Sequence, residues 1–298
     1  MNVVLIPFFL AANVVVNDTS KWTFGAKYSY DLNMTYMIKT DPHEPVETMT
    51  LISKLNCRPK SADNLFCHLQ NSTIVNFGRN PNTTREVETE QMFEIKFSER
   101  GVEGLTIEPP SRMEVVNILR KIANQFSIGV DWRKIERISQ FMARENSSMG
   151  NCATVYRIRR GELKTNTIGD EQVDDDFRFI ASTMLADDDA KPITNLLIEK
   201  SRMGCINPPR YVDFSSGILK MGRFVTKIQI NNKFEVSTEF DGKIRPPIDS
   251  MNRMLSFKEI MQLNLKSIDP AEGEIPPISY GESIDLNIST DIPSNFIN

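Results

Sequence analysis

The sequence predicts a mainly β fold with one central amphipathic helix, and three observations predict it. Trp22, Phe24 and Ala26, then Tyr28, Tyr30 and Leu32, alternate with other residues, and a period of two is the mark of a half-buried strand. Ser111 and Glu114 make a capping box ahead of Val115, Val116, Leu119, Ile122, Ala123 and Phe126, which recur at helical spacing with Arg120, Lys121 and Gln125 opposite them. Phe224, Ile228 and Ile230 lead into Asn231-Asn232, whose tolerance of positive φ suits a tight turn, and Phe234, Val236, Thr238 and Phe240 return as the second arm of a hairpin.

In chain order, the apolar block of residues 1–16 comes first. It is too short to span a bilayer, which takes about 20 apolar residues, and Ala11 and Ala12 stand near a plausible cut, so it reads as a signal peptide. No Lys or Arg follows Met1, and a buried first strand is the competing reading. Phe93, Ile95 and Phe97 alternate up to Ser98-Glu99-Arg100-Gly101, and Leu105 and Ile107 return, which reads as a second hairpin. Pro109 and Pro110 close the strand run before the helix of Ser111 to Phe126. A shorter, largely solvated helix fits Trp132, Ile135, Ile138 and Phe141. Strands resume with Ala153, Val155 and Ile158, and the acidic runs 174–176 and 187–189 read as solvated loops. The divisions expected are 1–16 as signal peptide, 17–275 as one β-dominated domain, and 276–298 as an irregular tail rich in Pro and Ser.

With 40% hydrophobic and 25% charged residues over 298, the chain has enough apolar surface for a sizeable core. A net charge of −4 lacks the basic footprint that a phosphate backbone demands, so nucleic acid is not expected as a partner. Only two histidines occur, His43 and His68, too few for most histidine triads or metal sites. No phosphate-cradling glycine loop and no nucleophile elbow is present, the acidic runs lack calcium-loop spacing, and no cofactor is expected. Nothing singles out an enzyme.

Secretion is supported by two further counts. Six Asn-x-Ser/Thr sequons mark Asn17, Asn33, Asn71, Asn82, Asn146 and Asn287 as glycosylation candidates. The four cysteines fit two bridges of an oxidising compartment. Cys57 and Cys67 flank a turn-like segment that would set two strands back to back, which leaves Cys152 with Cys205, although four cysteines allow three pairings. Arg157-Ile158-Arg159-Arg160 has the form of a dibasic cleavage signal, while the alternation through it favours a strand with a cationic face.

Several longer segments carry a family resemblance. Phe24 to Tyr30, Phe93 to Phe97 and Val116 to Ile122 follow in order. Gly150-Asn151-Cys152-Ala153-Thr154-Val155-Tyr156 then looks like the Gly-x-Cys-x-Thr-x-Tyr strand of vitellogenins, and Ile198 to Arg202 looks like the Lys-Ser-Arg segment before their next cysteine, here Cys205. Over roughly residues 22–270 the chain resembles the N-terminal module of the vitellogenin or large lipid transfer protein family. The resemblance implies an antiparallel β-barrel wrapped around the helix of Ser111 to Phe126, and it favours the pairing Cys152–Cys205. It also implies receptor recognition, whereas lipid in that family is held mainly by a following helical superhelix and further sheets, which are not expected within these residues. The expected function is therefore that of a secreted, non-enzymatic binding protein for a cell-surface receptor or another protein. Arg157, Arg159, Lys200 and Arg202 are the candidate partner-binding residues, since clustered positive charge steers association. A few bound lipid molecules are a further candidate ligand of such a binding module, and the alternative is a lipid transporter or yolk-type nutrient protein that carries lipid itself or as an oligomer.

Overall fold

Long alternating stretches rich in Thr, Tyr, Ile, Val and Phe set the architecture, because side chains on a strand divide between two faces and each stretch has one face to bury. The computed structural model describes residues 2–6, 10–14, 22–39, 43, 45–61, 63–77, 83–87, 90–98, 101–109, 112–161, 177–180, 195–206, 218–230, 234–245 and 255–286. The strands are β1 (Asn2–Ile6), β2 (Leu10–Val14), β3 (Ala26–Lys39), β4 (Glu47–Pro59), β5 (Asn64–Phe77), β6 (Thr83–Val87), β7 (Gln91–Ser98) and β8 (Gly101–Ile107). The helices α1 (Met113–Gln125) and α2 (Trp132–Arg137) follow. Then come β9 (Gln140–Ser147), β10 (Gly150–Gly161), β11 (Phe177–Ile180), β12 (Asn195–Ile206), β13 (Ile218–Ile230), β14 (Phe234–Arg245), β15 (Leu255–Pro270) and β16 (Glu282–Asp285).

Thirteen strands form one antiparallel sheet in the order β16-β8-β7-β5-β4-β3-β15-β14-β13-β12-β10-β9, with β6 added on β5. The expected barrel is not closed by its ladder: β16 and β9 end the order and do not pair with each other among the described residues. The sheet nevertheless surrounds α1. Tyr28, Tyr30, Leu32 and Met34 of β3 point inward with Phe234 of β14, and Leu119, Ile122, Ala123 and Phe126 of α1 pack against this lining. Phe126 is held edge-on to Tyr30 at 5.4 Å between centroids and stacked on Phe234 at 6.4 Å, arrangements that suit the aromatic quadrupole.

The largest departure from expectation lies on α1 itself. Arg120, Lys121 and Gln125, read as its solvent side, are buried. Enclosure by the sheet leaves no solvent side, so each polar group is met from the wall. Lys121 Nζ stands 2.7 Å from Glu259 Oε2 on β15, Thr238 Oγ1 of β14 donates to Gln125 Oε1 at 2.9 Å, and Arg120 Nε donates to the Asp285 carbonyl of β16 at 3.0 Å. Polar spacing identified the face of the helix correctly and its surroundings wrongly.

Smaller differences have local causes. Gly25, at φ +82, breaks the alternation that began at Trp22, so β3 starts at Ala26. Arg112 is the N-cap of α1 and makes no side-chain capping bond, while Ser111 of the expected capping box lies outside the described residues. The second helix stops at Arg137, and Phe141 lies on β9, where it stacks on Tyr156 at 4.7 Å. The tail predicted to be irregular contributes β16, which pairs with β8. The arms of both predicted hairpins are paired, as β7–β8 and β13–β14, and the expected turns at Glu99-Arg100 and Asn231-Asn232 lie outside the described residues. The acidic runs 174–176 and 187–189 lie outside the described residues. Residues 2–6 and 10–14 form β1 and β2, and β2 also pairs with β11 in a three-stranded sheet separate from the large one.

Candidate partner-binding surface

Register decides which of the four predicted basic residues face outward. β10 pairs with β12 so that Tyr156 opposes Lys200 and Arg157 opposes Glu199, and directly opposed residues of an antiparallel pair share a face. The inward row of β10 is Cys152, Thr154, Tyr156 and Ile158, all buried. Ala153 and Val155, expected to mark the core side, lie in the alternate row. Lys200 and Arg202 therefore belong to the interior, and the single cationic face expected of Arg157, Arg159, Lys200 and Arg202 divides into an outer pair and an inner pair.

The inner pair meets Glu145 of β9. Lys200, 0% exposed, places Nζ 3.3 Å from Glu145 Oε2, and Arg202 Nε is bonded to Glu145 Oε1. Tyr156 donates its hydroxyl to Glu145 Oε2 at 2.5 Å. Burial pushes the Glu145 carboxyl up, but Arg202, Lys200 and the hydrogen bonds from Tyr156 and Arg202 outweigh it and hold the group below its ordinary value. Burial lowers Lys200 to about 8 against the pull of Glu145. The cluster also ties down the chain leaving α1, because Lys200 Nζ donates to the Ser127 carbonyl at 2.7 Å and the Tyr156 hydroxyl lies 3.1 Å from the Ile128 carbonyl. Two cations with these partners serve the fold.

The outer pair stands in different company. Arg157 is exposed and forms an ion pair with Glu199 at 3.1 Å, the kind of surface pair that contributes about 0–1 kcal/mol. Arg159 is exposed two residues further along the same face. On β9, the last strand of the sheet, Met142 opposes Val155 and Arg144 opposes Ala153, whose other neighbour is Met203 of β12. Met142 is 64% exposed and Met203 49%. Arg144 is fixed to Asn151 by bonds of 2.6 Å to Oδ1 and 2.9 Å to the carbonyl oxygen. The outer surface at this end of the sheet thus combines two exposed methionines with three arginines, which composition alone did not disclose because the methionines come together only through the ladder.

Cys57 is joined to Cys67 across β4 and β5, with Cα atoms 4.1 Å apart, and Cys152 to Cys205 across β10 and β12, at 3.9 Å. Asn71 and Asn146 are exposed and Asn33 is half-buried in the outward row of β3. Asn17, Asn82 and Asn287 lie outside the described residues. Among the described residues no three His, Cys, Asp or Glu side chains are grouped as a metal site requires, and no helix is long and apolar enough to cross a membrane.

The family model described as the vitellogenin N-terminal domain matches residues 22–202. No curated protein matches the chain. A solved structure titled "lipid-protein interactions in lipovitellin" is similar to it at a TM-score of 0.62 and 12% identity, over 90% of this chain and 28% of that one. At that identity the likeness is one of fold, and the chain spans under a third of that protein's length.

Proposed function

This chain belongs to the vitellogenin N-terminal domain family, and from that premise we propose that it is a secreted, non-enzymatic binding protein presenting the outer surface of β9, β10 and β12 to an acidic protein partner such as a cell-surface receptor. The observation that carries the reading is the exposure of Met142 and Met203 among Arg144, Arg157 and Arg159. Methionine and arginine are enriched in protein interfaces, where the thioether adapts to the partner and the guanidinium supplies directed donors. Met142 and Met203 are about half to two-thirds exposed, so covering what remains of each contributes about 1–2 kcal/mol, and the arginines steer an acidic partner into place.

Residues 1–16 act as the leader in this reading. Their strands belong to the small sheet with β11, so their removal leaves every rung of the large sheet in place. Glycans on Asn33, Asn71 and Asn146 would project from the outward rows, and enzymatic deglycosylation of the secreted protein should lower its mass.

The test is binding of the labelled protein to receptor-bearing membranes at two salt concentrations. Arg157→Glu with Arg159→Glu should weaken binding about 10-fold or more at low salt and less at high salt. Equal affinity of the variant at low salt would refute the assignment of this surface.

A second reading, lipid transport by the chain itself or by an oligomer, is favoured by the family and by the fold shared with lipovitellin. Mass spectrometry of the native protein purified from its own secretion distinguishes the two, since absence of co-purifying lipid counts against carriage.

A further inference from the structure

On the outer face of the sheet, far in sequence from the arginines, four strands bring like charges into one line. Lys220 of β13 opposes Lys243 of β14, Lys243 opposes Ser256 of β15, and Ser256 opposes Lys39 of β3. At about 4.8 Å per strand this row spans about 14 Å. Like charges directly opposed across a pair destabilise a sheet, and none of Lys39, Lys220 and Lys243 has a carboxylate partner among the described residues. The neighbouring Lys258 is already held by Glu239 at 2.8 Å. Asp241, a carboxylate of the same surface, accepts the backbone N–H of Arg223 at 2.9 Å.

The row borders a groove of about 580 Å³, within the range of roughly 300–1,000 Å³ typical of small-molecule sites. Its existence has a local cause: the β13–β14 register shifts between Met221 and Phe224, and Gly222 and Gly242 withhold side chains from adjacent strands at that point. Met37 and Val46 contribute apolar walls, and the stems of the lysines extend them. An inorganic anion would satisfy the charge and leave these walls wet. A neutral lipid would cover the walls and leave the opposed ammonium groups as they are.

We propose that this groove binds the carboxylate of a single-chain fatty acid, with Lys220, Lys243 and Lys39 holding the headgroup and the chain lying against Met37 and Val46. The site is independent of the arginine surface, and it is narrower than general lipid carriage, because it requires the negative headgroup as well as the chain.

Titration calorimetry on the full chain with sodium palmitate, octanoate, hexadecanol and inorganic phosphate tests it. Palmitate should bind about 10-fold or more tightly than hexadecanol, as charge-assisted bonds to the lysines require. It should also exceed octanoate by about 10-fold or more, as burial of the additional methylenes requires. Lys220→Gln with Lys243→Gln should remove about 10-fold or more of palmitate affinity while melting no lower than the parent chain, since the substitution relieves repulsion. Lys266→Gln, about 30 Å along β15 from Ser256 at about 3.3 Å per residue, should leave it unchanged. Hexadecanol binding equal to palmitate would overturn the proposal and indicate nonspecific lipid uptake. Phosphate binding equal to palmitate would overturn it as a bare charge stripe, as would a double variant that retains full affinity. The palmitate-to-hexadecanol ratio on the unsubstituted chain needs no variant to fold.

Discussion

Replacing Glu145 by Gln removes the charge on which the interior of β9, β10 and β12 depends while keeping the side chain's shape. The carboxylate is buried and receives Tyr156, Lys200 and Arg202. Its loss leaves two cations enclosed without an anion, and breaking a buried ion pair from one side costs about 3–5 kcal/mol. Lys200 keeps the Ser127 carbonyl at 2.7 Å and Arg202 keeps Thr226 Oγ1 at 2.7 Å, which places the expected loss near the lower bound, about 3 kcal/mol. At roughly 2–4 °C per kcal/mol for a chain of a few hundred residues, Tm should fall by about 6–12 °C. Guanidinium unfolding followed by circular dichroism, with the disulfides kept oxidised, measures the free energy. Adding Lys200→Met to Glu145→Gln should return about 1 kcal/mol or more, because it removes one of the stranded charges. Acid supplies an independent check. The unfolded carboxyl titrates at 4.5 and the folded one lower, so the unfolded chain takes up the proton first. The contribution of Glu145 is therefore complete above about pH 4.5 and is lost as the pH falls through the folded value. The gap between parent and Glu145→Gln should narrow toward pH 3. A loss under about 1 kcal/mol at pH 7, or a gap that stays constant into acid, would refute the reasoning.

Cys205→Ser opens a bridge between residues 53 apart and should cost about 4 kcal/mol in urea unfolding, against about 3 kcal/mol for Cys57→Ser, whose bridge closes only 10. Equal losses, or the reverse order, would count against loop closure as the source of stability. Gly129 and Gly25 share φ +82, yet a Cβ on Gly129 would overlap the Glu145 carboxylate while one on Gly25 meets nothing within 4 Å. Thermal unfolding should show Gly25→Ala losing about 1–2 kcal/mol from backbone conformation alone and Gly129→Ala losing clearly more.

The strands and α1 were legible because both depend on periodicity, which burial of one face writes directly into the chain. Tyr28, Tyr30 and Leu32, the row of Val115 to Phe126, and Ile228, Ile230, Phe234 and Val236 of the β13–β14 hairpin all turned inward as their spacing indicated. The candidate site was legible only in half. Arg157 and Lys200 differ by one step of register, and parity across a ladder is invisible until the pairing partner is known. The burial of Lys121 escaped for a related reason: its counter-ion Glu259 is 138 residues away, and no local pattern connects them. Met142 and Met203 likewise meet only through β10.

The seam between β3 and β15 bears on how such a chain is made. Its rungs join Ala26 to Pro270 and Lys39 to Ser256, so one flank of β3 waits for a strand synthesised more than two hundred residues later. At about 5–20 residues per second that interval runs from roughly ten seconds to most of a minute. Throughout it β3 offers bare N–H and C=O groups to any passing strand, a natural opening for a chaperone and equally for mispairing. Nor does the family match reach the closing strand, for it ends at residue 202 while β15 begins at Leu255. A chain ended at Arg202 would keep the whole matched segment and still lack the strand that joins β3 to β14.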